Sequence, residues 1–408
     1  MTEQQFDVAV IGLGAMGAQA VAHLAARGIK VIGIERFGPL HDRGSSHGDS
    51  RLIRLGYFED PAYVPLLHRA YRNWRDLEAR VREDLLTITG VLQIGKPGCH
   101  IVDGTIAACK LHNLPYDLLD QAQAARRYPA FQLDADEVAV LEPEGGFLRP
   151  EAATLAALRV AGADGAMLHF NERVLGITPS DGGMAVATDQ ARYRARTVVV
   201  ATGSYIAGLV PELDQIAVPI RVVVGWFQPR DGLNTALGRM PGFLRDEGEA
   251  GSFFGFPVIG RDGVKVGKHA HFREVIDPEA PNAPVNEADR ALLEDFIARR
   301  VPAAAGVSVG YATCRYTMLP GDDFLIDRLP SDPSVIVASP CSGHGFKFAS
   351  VVGEILADLA TTGESSLPIE AFSFASLARR LGTGADLAFG RRAAITTPRK
   401  FPNPPNGS

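Results

Sequence analysis

Gly12, Gly14 and Gly17 stand in GxGxxG spacing directly after the apolar run Val8 to Ile11. Glycines so placed let backbone amides cradle a pyrophosphate at the start of a helix. Gly12 makes the tight turn, Gly14 leaves room for the phosphates, and Gly17 lets helix and strand pack closely. Behind them Ala18, Val21, Leu24 and Ala25 recur at helical intervals until Gly28, and Val31 to Ile34 reads as a second buried strand ending in Glu35. An acid at that point suits the ribose hydroxyls of adenosine. The whole unit predicts dinucleotide binding and leaves FAD and NAD both open.

A second group of residues carries charge and a thiol. Arg51 and Arg54, in SRLIR, lie three apart, a spacing that presents both to one side of a helix or turn. A guanidinium fork suits a carboxylate. The preceding GSSHGD is rich in glycine and small polar residues that bring backbone close to a ligand. Lys265 and His269 share VKVGKH, whose alternation reads as a strand with both side chains on one face. Cys314, in YATCRYTML, is open to two readings, a small buried residue or a reactive thiol.

These residues need elements to hold them. RTVVVATGSY, Arg196 to Tyr205, reads as a buried strand with a small-residue turn at Gly203, a second approach of backbone to a cofactor. SVIVASPCSGHGFKFASVVGEILADLATTG reads as a strand, a glycine-rich turn, and a helix from near Gly345 whose Val351, Val352, Ile355, Leu356 and Leu359 share a face, capped by Gly363. Three strand-to-glycine turns spread along the chain suit a cofactor as long as FAD. VPIRVVVGWFQPR and GSFFGFPVIG read as alternating, aromatic-rich strands. The expectation is an α/β protein: a Rossmann-type FAD-binding domain on a parallel sheet (residues 1–90, 145–215 and 320–385), and a substrate domain on an antiparallel sheet over the flavin (91–144 and 216–319). Residues 386–408 read as a disordered tail.

Composition narrows the partners. Net charge is -6 with both signs interspersed, so no basic face points to nucleic acid and no polybasic run to a membrane surface. No stretch reaches the ~18 apolar residues of a membrane span, and Val8 to Ala22 is preceded by Glu3 and Asp7 rather than by the cations of a signal peptide. Cys99, Cys109, Cys314 and Cys341 form no CxxC pair and have no histidines at zinc spacing, so no metal is expected. Four cysteines in so long a chain fit a reducing compartment, and a cytoplasmic protein is expected.

GxGxxG with Glu35, then GSSHGDSRLIRLGY (Gly44 to Tyr57), then FFGFPVIGRDGVKVGKHA (Phe253 to Ala270), then CRYT followed by DFLIDRLP and SGHGFKF, together resemble the monomeric sarcosine oxidase and N-methyltryptophan oxidase family. The resemblance runs from FDVAVIG to about Gly363. It implies FAD attached through a thioether between Cys314 and the flavin 8-methyl carbon. It implies Arg51 against the flavin, Lys265 as the activator of dioxygen, and His269 in the substrate pocket. Arg54 and Lys347 would clamp a substrate carboxylate, with Tyr316 and Phe254 beside the substrate. Ser46, Gly203, Gly343, Gly345, Lys347 and Asp327 would contact the cofactor.

The implied reaction is oxidation of a secondary amino acid, N-methyl or cyclic, to an imine that hydrolyses, with dioxygen reduced to hydrogen peroxide by a monomeric enzyme. A same-fold dehydrogenase using another acceptor and a non-catalytic FAD-binding protein are the alternatives. Where the family has tyrosines before GFP, this chain has Phe253 and Phe254. That loss of hydroxyls shifts the expectation from sarcosine toward a bulkier or cyclic amine. Cys341 replaces a larger apolar residue before SGHGFKF.

Overall fold

The strand Gln4–Ile11 is hydrogen-bonded in parallel to Val31–Ile34 on one side and Arg192–Val200 on the other. The computed structural model describes residues 4–260 and 263–382, so the tail expected at 386–408 lies outside the described residues. Met167–His169 and Asp332–Ala338 extend the sheet, again in parallel. Residues 8–11, 31–34, 198–200 and 335–338 are apolar because both faces are buried there. Val8 and Val10 pack under the helices Ala15–Ala26, Pro150–Ala163 and Ala349–Thr361, while Ala9 and Ile11 pack with Ile206, Leu213 and Leu377. Small residues bring the helices together: a Cβ on Gly353 would lie 2.5 Å from the backbone of Gln19.

Before the last of those helices, Phe346–Phe348 forms a 3-10 turn, so the α-helix begins after Gly345 rather than at it. Gly363 follows its end at φ +92°, as the C-terminal glycine predicts.

The second sheet runs Ser308–Met318, Val218–Phe227, Val264–Lys268, Ser252–Val258, Gly242–Asp246, Val91–Gly95, Val138–Glu142, Asp117–Asp120. Every pairing is antiparallel except Gly242–Asp246 with Val91–Gly95. The helix Glu287–Arg300 covers one face through Leu293, Phe296 and Ile297. Alternation along Ser252–Val258 sends Phe253 to that side, where it stacks on Phe296 at 4.0 Å, and Phe254 to the other. Only Phe254 is therefore a cavity residue. The fold is thus α/β: a sheet with a parallel centre, to which Gly183–Thr188, Val174–Ser180 and Ile326–Leu329 add antiparallel strands, packed with helices and joined to a largely antiparallel sheet.

A third sheet was not foreseen. Arg51–Ile53 and Leu86–Ile88 both pair with Gly146–Leu148. A Cβ on Gly146 would lie 2.0 Å from the Thr87 carbonyl oxygen, so glycine is required for the approach. Arg51 is thus on a strand rather than a helix or turn, and residues three apart there point to opposite sides. Among the described residues, no helix is long and apolar enough to cross a membrane.

Candidate active site

A cavity of about 600 Å³ lies between the two large sheets, within the range of cofactor and substrate sites. At one end is the first glycine turn. A Cβ on Gly12 (φ +87°) would meet the Ala201 carbonyl oxygen at 2.7 Å, and one on Gly17 would meet the Gly12 carbonyl oxygen at 1.8 Å. Both glycines are demanded by the protein's own packing. Gly14 is different: its nearest neighbour would be Ser46 Oγ at 3.5 Å, an ordinary contact, so the space in front of it is open. Ser46 Oγ accepts from the Ala15 amide at 3.0 Å, which fixes the GSSHGD loop over the helix start. Glu35 accepts from the amides of Leu13 (2.8 Å) and Phe37 (3.0 Å) and lines the cavity. Gly203 (φ +54°) faces no protein atom within 4 Å of an added Cβ.

Whether FAD fits can be judged from the protein atoms facing this space. Thr202 Oγ1, Ser204 Oγ, Ser339 Oγ and Thr154 Oγ1 are buried, line the cavity and have no hydrogen-bond partner among the described residues. Buried polar groups are normally paired, so a ligand with a polar backbone completes them. The residues present fit FAD.

Further along, Cys314 sits on the long strand Ser308–Met318, 7 % exposed and lining the cavity. Burial alone would raise its thiol, but the His47 side chain, Arg51 and Lys265 outweigh it and bring it down to about 7. Arg51 Nη2 lies 3.6 Å from the sulfur, held by the carbonyls of Ser45 and His47 at 2.9 and 2.6 Å. Lys265 is 2 % exposed and donates to the Gly48 and Ser50 carbonyls at 2.5 and 3.0 Å. It stands behind that backbone, not on the cavity wall. Burial and then the neighbouring Arg51 lower its ammonium to about 7. The strand ends at Lys268, and Ala270 and His271 take φ of 54° and 45°, so His269 leaves it and its ring centre sits 5.7 Å from that of Tyr316. Burial lowers His269, which favours its neutral form.

The third region holds Arg54 and Lys347, 2 % and 5 % exposed. Arg54 and Arg51 diverge: Arg54 Nη2 forks onto Glu59 at 2.7 and 2.5 Å while Nη1 donates to the Gly56 carbonyl at 2.8 Å. Its guanidinium lies over Phe58 and Tyr57, 4.2 and 4.5 Å from the ring centres. Burial would raise Glu59, yet Arg54, His344 and Lys347 hold its carboxyl at about 2. Lys347 Nζ donates to the His344 carbonyl at 2.7 Å, and burial, then Arg54, lower it to about 7. His344 Nε2 must donate to the Asp322 carbonyl at 2.7 Å, so Nδ1 accepts from Tyr57. Burial drops that ring to about 4, and it stays neutral.

A Cβ on Gly343 (φ +80°) would lie 2.5 Å from the Tyr316 ring and 2.6 Å from that of His269, and one on Gly345 would strike the Pro340 carbonyl oxygen at 1.7 Å. Cys341 also lines the cavity; its sulfur accepts from the Thr317 amide at 3.3 Å and burial raises its thiol. Asp327 does not reach the cavity; it accepts from the amides of Phe374 and Arg328 instead. Glu59, His344, Tyr57 and His47 went unnoticed in the sequence. The only signal was that His47, Tyr57 and His344 fall inside the stretches already quoted; Glu59 lies two residues past one of them.

A glycine turn open toward a cavity, unpaired polar groups along it, and a thiol among cations beyond it define a dinucleotide-dependent oxidoreductase. The sequence model described as FAD dependent oxidoreductase (DAO) matches residues 7–359. Monomeric sarcosine oxidase of Streptomyces avermitilis is 40 % identical over 372 residues, covering 90 % of this chain and 96 % of that one. N-methyl-L-tryptophan oxidase of Yersinia pestis is 33 % identical, with 91 % and 99 % covered. The solved structure of NikD, an unusual amino acid oxidase essential for nikkomycin biosynthesis, shares the fold at a TM-score of 0.79 and 24 % identity, over 91 % of this chain and 97 % of that one. The chain belongs to the FAD-dependent oxidoreductases of the DAO family.

Proposed function

We propose that this protein is a monomeric cytoplasmic oxidase of secondary amino acids, N-methyl or cyclic, using dioxygen as acceptor. The observation that carries the reading is the charge balance at Arg54 and Lys347. Glu59 pairs with Arg54, while buried Lys347, lowered to about 7, has no carboxylate in salt-bridge contact among the described residues, so a substrate carboxylate supplies the negative charge that holds it protonated. An incoming carboxylate also favours the charged form of Lys347. The cavity wall includes the apolar residues Phe254, Phe256, Leu52, Leu244 and Phe58, the last of them beside Arg54. That suits a side chain larger than a methyl group; equal turnover of sarcosine and of large N-methyl amino acids would count against it. The sarcosine and N-methyltryptophan oxidases similar to this chain support the substrate class.

When bound, FAD supplies the two-electron oxidation of the substrate C–N bond to an imine and the return of the electrons to dioxygen as hydrogen peroxide. Gly12, Gly14, Gly17, Glu35, Ser46 and Gly203 would hold its dinucleotide part, with Gly343 and Gly345 shaping the turn nearer the substrate. We propose that Cys314 binds it covalently through a thioether, the thiol and the 8-methyl carbon each losing one hydrogen and the two electrons passing to dioxygen, a role suited to a thiol that titrates near neutrality. Arg51 and Lys265 keep positive charge at that end, while neutral His269 and Tyr316 wall the substrate. The cations disfavour a protonated amine by like-charge repulsion, so the substrate is held in its reactive neutral form without a dedicated base. Residues 1–90, 145–215 and 320–385 serve as the FAD-binding unit and 91–144 and 216–319 as the substrate unit.

The test is to precipitate the purified protein with acid. The yellow chromophore should stay with the pellet, be released from Cys314→Ser, and peroxide should form with N-methyl or cyclic amino acids in air. Turnover only with an artificial acceptor would establish a dehydrogenase instead.

A further inference from the structure

Glu142 ends the strand Val138–Glu142, is 1 % exposed, and has no part in the chemistry above. Its carboxylate accepts from two successive amides, those of Leu55 and Gly56, the second at 2.9 Å. The carbonyl of the same Gly56 accepts from Arg54 Nη1 at 2.8 Å. There is little slack in this relay: a Cβ on Gly56 would lie 3.0 Å from Glu142 Oε2, 2.9 Å from Cys109 Sγ and 3.1 Å from Thr105. We propose that Glu142 is a positioning residue for substrate binding, holding the Leu55–Gly56 backbone so that Arg54 is aimed at the substrate carboxylate, and that protonating Glu142 loosens this hold. The proposal rests on the reading that Arg54 binds that carboxylate.

The chemistry of the carboxyl explains the switch. Ionised, it only accepts and satisfies both amides; protonated, one oxygen becomes a hydroxyl, a weaker acceptor whose proton needs its own partner, so one of the two amide bonds weakens. The titratable groups facing it are Arg54, Glu144, Tyr71 and Cys109. Burial raises Tyr71 above its ordinary range and pushes Cys109 to about 12, so both stay neutral and Arg54 is the cation opposite Glu142. Burial raises Glu142 itself to about 7, against the Leu55 amide, Arg54 and the Gly56 amide. Affinity for a carboxylate should therefore fall from pH 7.5 to pH 6. Lys347 works in the opposite sense, losing its charge and weakening binding as pH rises through about 7.

The experiment measures, by calorimetry on the holoenzyme, the Kd of methylthioacetate, whose thioether replaces the amine and does not titrate. In Glu142→Gln the acid limb should flatten while the alkaline limb remains, and Kd at pH 7.5 should rise about tenfold, the factor of one charge-assisted hydrogen bond. In an Arg54→Gln background, Glu142→Gln should add almost nothing, because it acts through Arg54. If Arg54→Gln binds as tightly as wild type, the carboxylate reading itself fails. If Arg54→Gln is weak but Glu142→Gln keeps wild-type affinity and acid limb, or if the two losses simply add, the positioning role is overturned. Should Glu142→Gln not fold, the acid limb decides: it must be present in wild type and absent from Arg54→Gln, and its persistence there refutes the proposal.

Discussion

In protein made under riboflavin starvation, so that Cys314 is free, iodoacetamide at pH 7 should alkylate Cys314 ahead of the other three cysteines. Cys314 is brought to about 7, whereas Cys99 and Cys341 are raised above the ordinary 9.0 and Cys109 is pushed to about 12. At pH 7 about half of such a thiol is thiolate, against ~1 % of an ordinary one, a ~50-fold advantage in the reactive form. Lower basicity takes part of this back. With a Brønsted slope of about 0.45, two units reduce intrinsic nucleophilicity ~8-fold, which leaves Cys314 about sixfold faster. Its rate should level off above pH ~8, while an ordinary thiol keeps climbing. Peptide mass spectrometry across pH 5.5 to 9 reads both, and His47→Ala should move the plateau upward. Refutation is direct: if the Cys314 rate rises tenfold per pH unit through ~8.5 instead of levelling off, the cations do not govern the sulfur. The chemical case for a thioether then falls with them.

Three other perturbations separate protein packing from ligand binding. Gly17→Ala forces a Cβ to 1.8 Å from the Gly12 carbonyl oxygen and should abolish FAD retention along with local folding, while Gly14→Ala meets nothing closer than 3.5 Å and should leave the melting temperature of flavin-free protein unchanged yet weaken FAD binding; equal melting losses would contradict this. Arg54→Gln should raise KM for a carboxylate-bearing amine ~10- to 100-fold with a smaller change in kcat, and should destabilise the fold by about 3 kcal/mol because Glu59 loses its partner. Adding Glu59→Gln should restore the melting temperature but not KM. For Glu142, a carboxyl raised from 4.5 to about 7 means that the folded chain binds the proton more tightly than the unfolded one. This contribution to stability is full below pH 4.5 and is lost as pH rises through 7, up to about 3 kcal/mol. Glu142→Gln should therefore gain on wild type in thermal unfolding between pH 5 and pH 8; a gap that stays constant with pH would refute the assignment.

The parts of this molecule that could be read in the sequence are those decided by neighbours in the chain. Gln4–Ile11, Ala15–Ala26 and Val31–Ile34 are buried on faces that their own periodicity announces, and Gly12 and Gly17 are fixed by the turn they make. Arg51 and Arg54 show where such reading stops. Their spacing fits a helical turn, but Arg51–Ile53 is drawn into a strand by Gly146–Leu148, nearly a hundred residues later, and the two guanidiniums part company. Phe253 and Phe254 repeat the lesson in one residue, since only the covering helix Glu287–Arg300 determines which ring is packed away. Charge partners are harder still. Lys347 and Arg54 could be picked out as cations, but Glu59, only five residues from Arg54, lies in no helix or strand whose period would point it there, and Lys347 is brought near both by tertiary packing. That one carboxylate decides the chemistry. With a second acid the pair would be neutral and closed to an anion; with none, the buried cations would be too costly to keep charged. One acid against Arg54 and a Lys347 that titrates near 7 leaves a site that is stable when empty and gains its second positive charge when a carboxylate enters, which is the condition for selecting an amine that carries one.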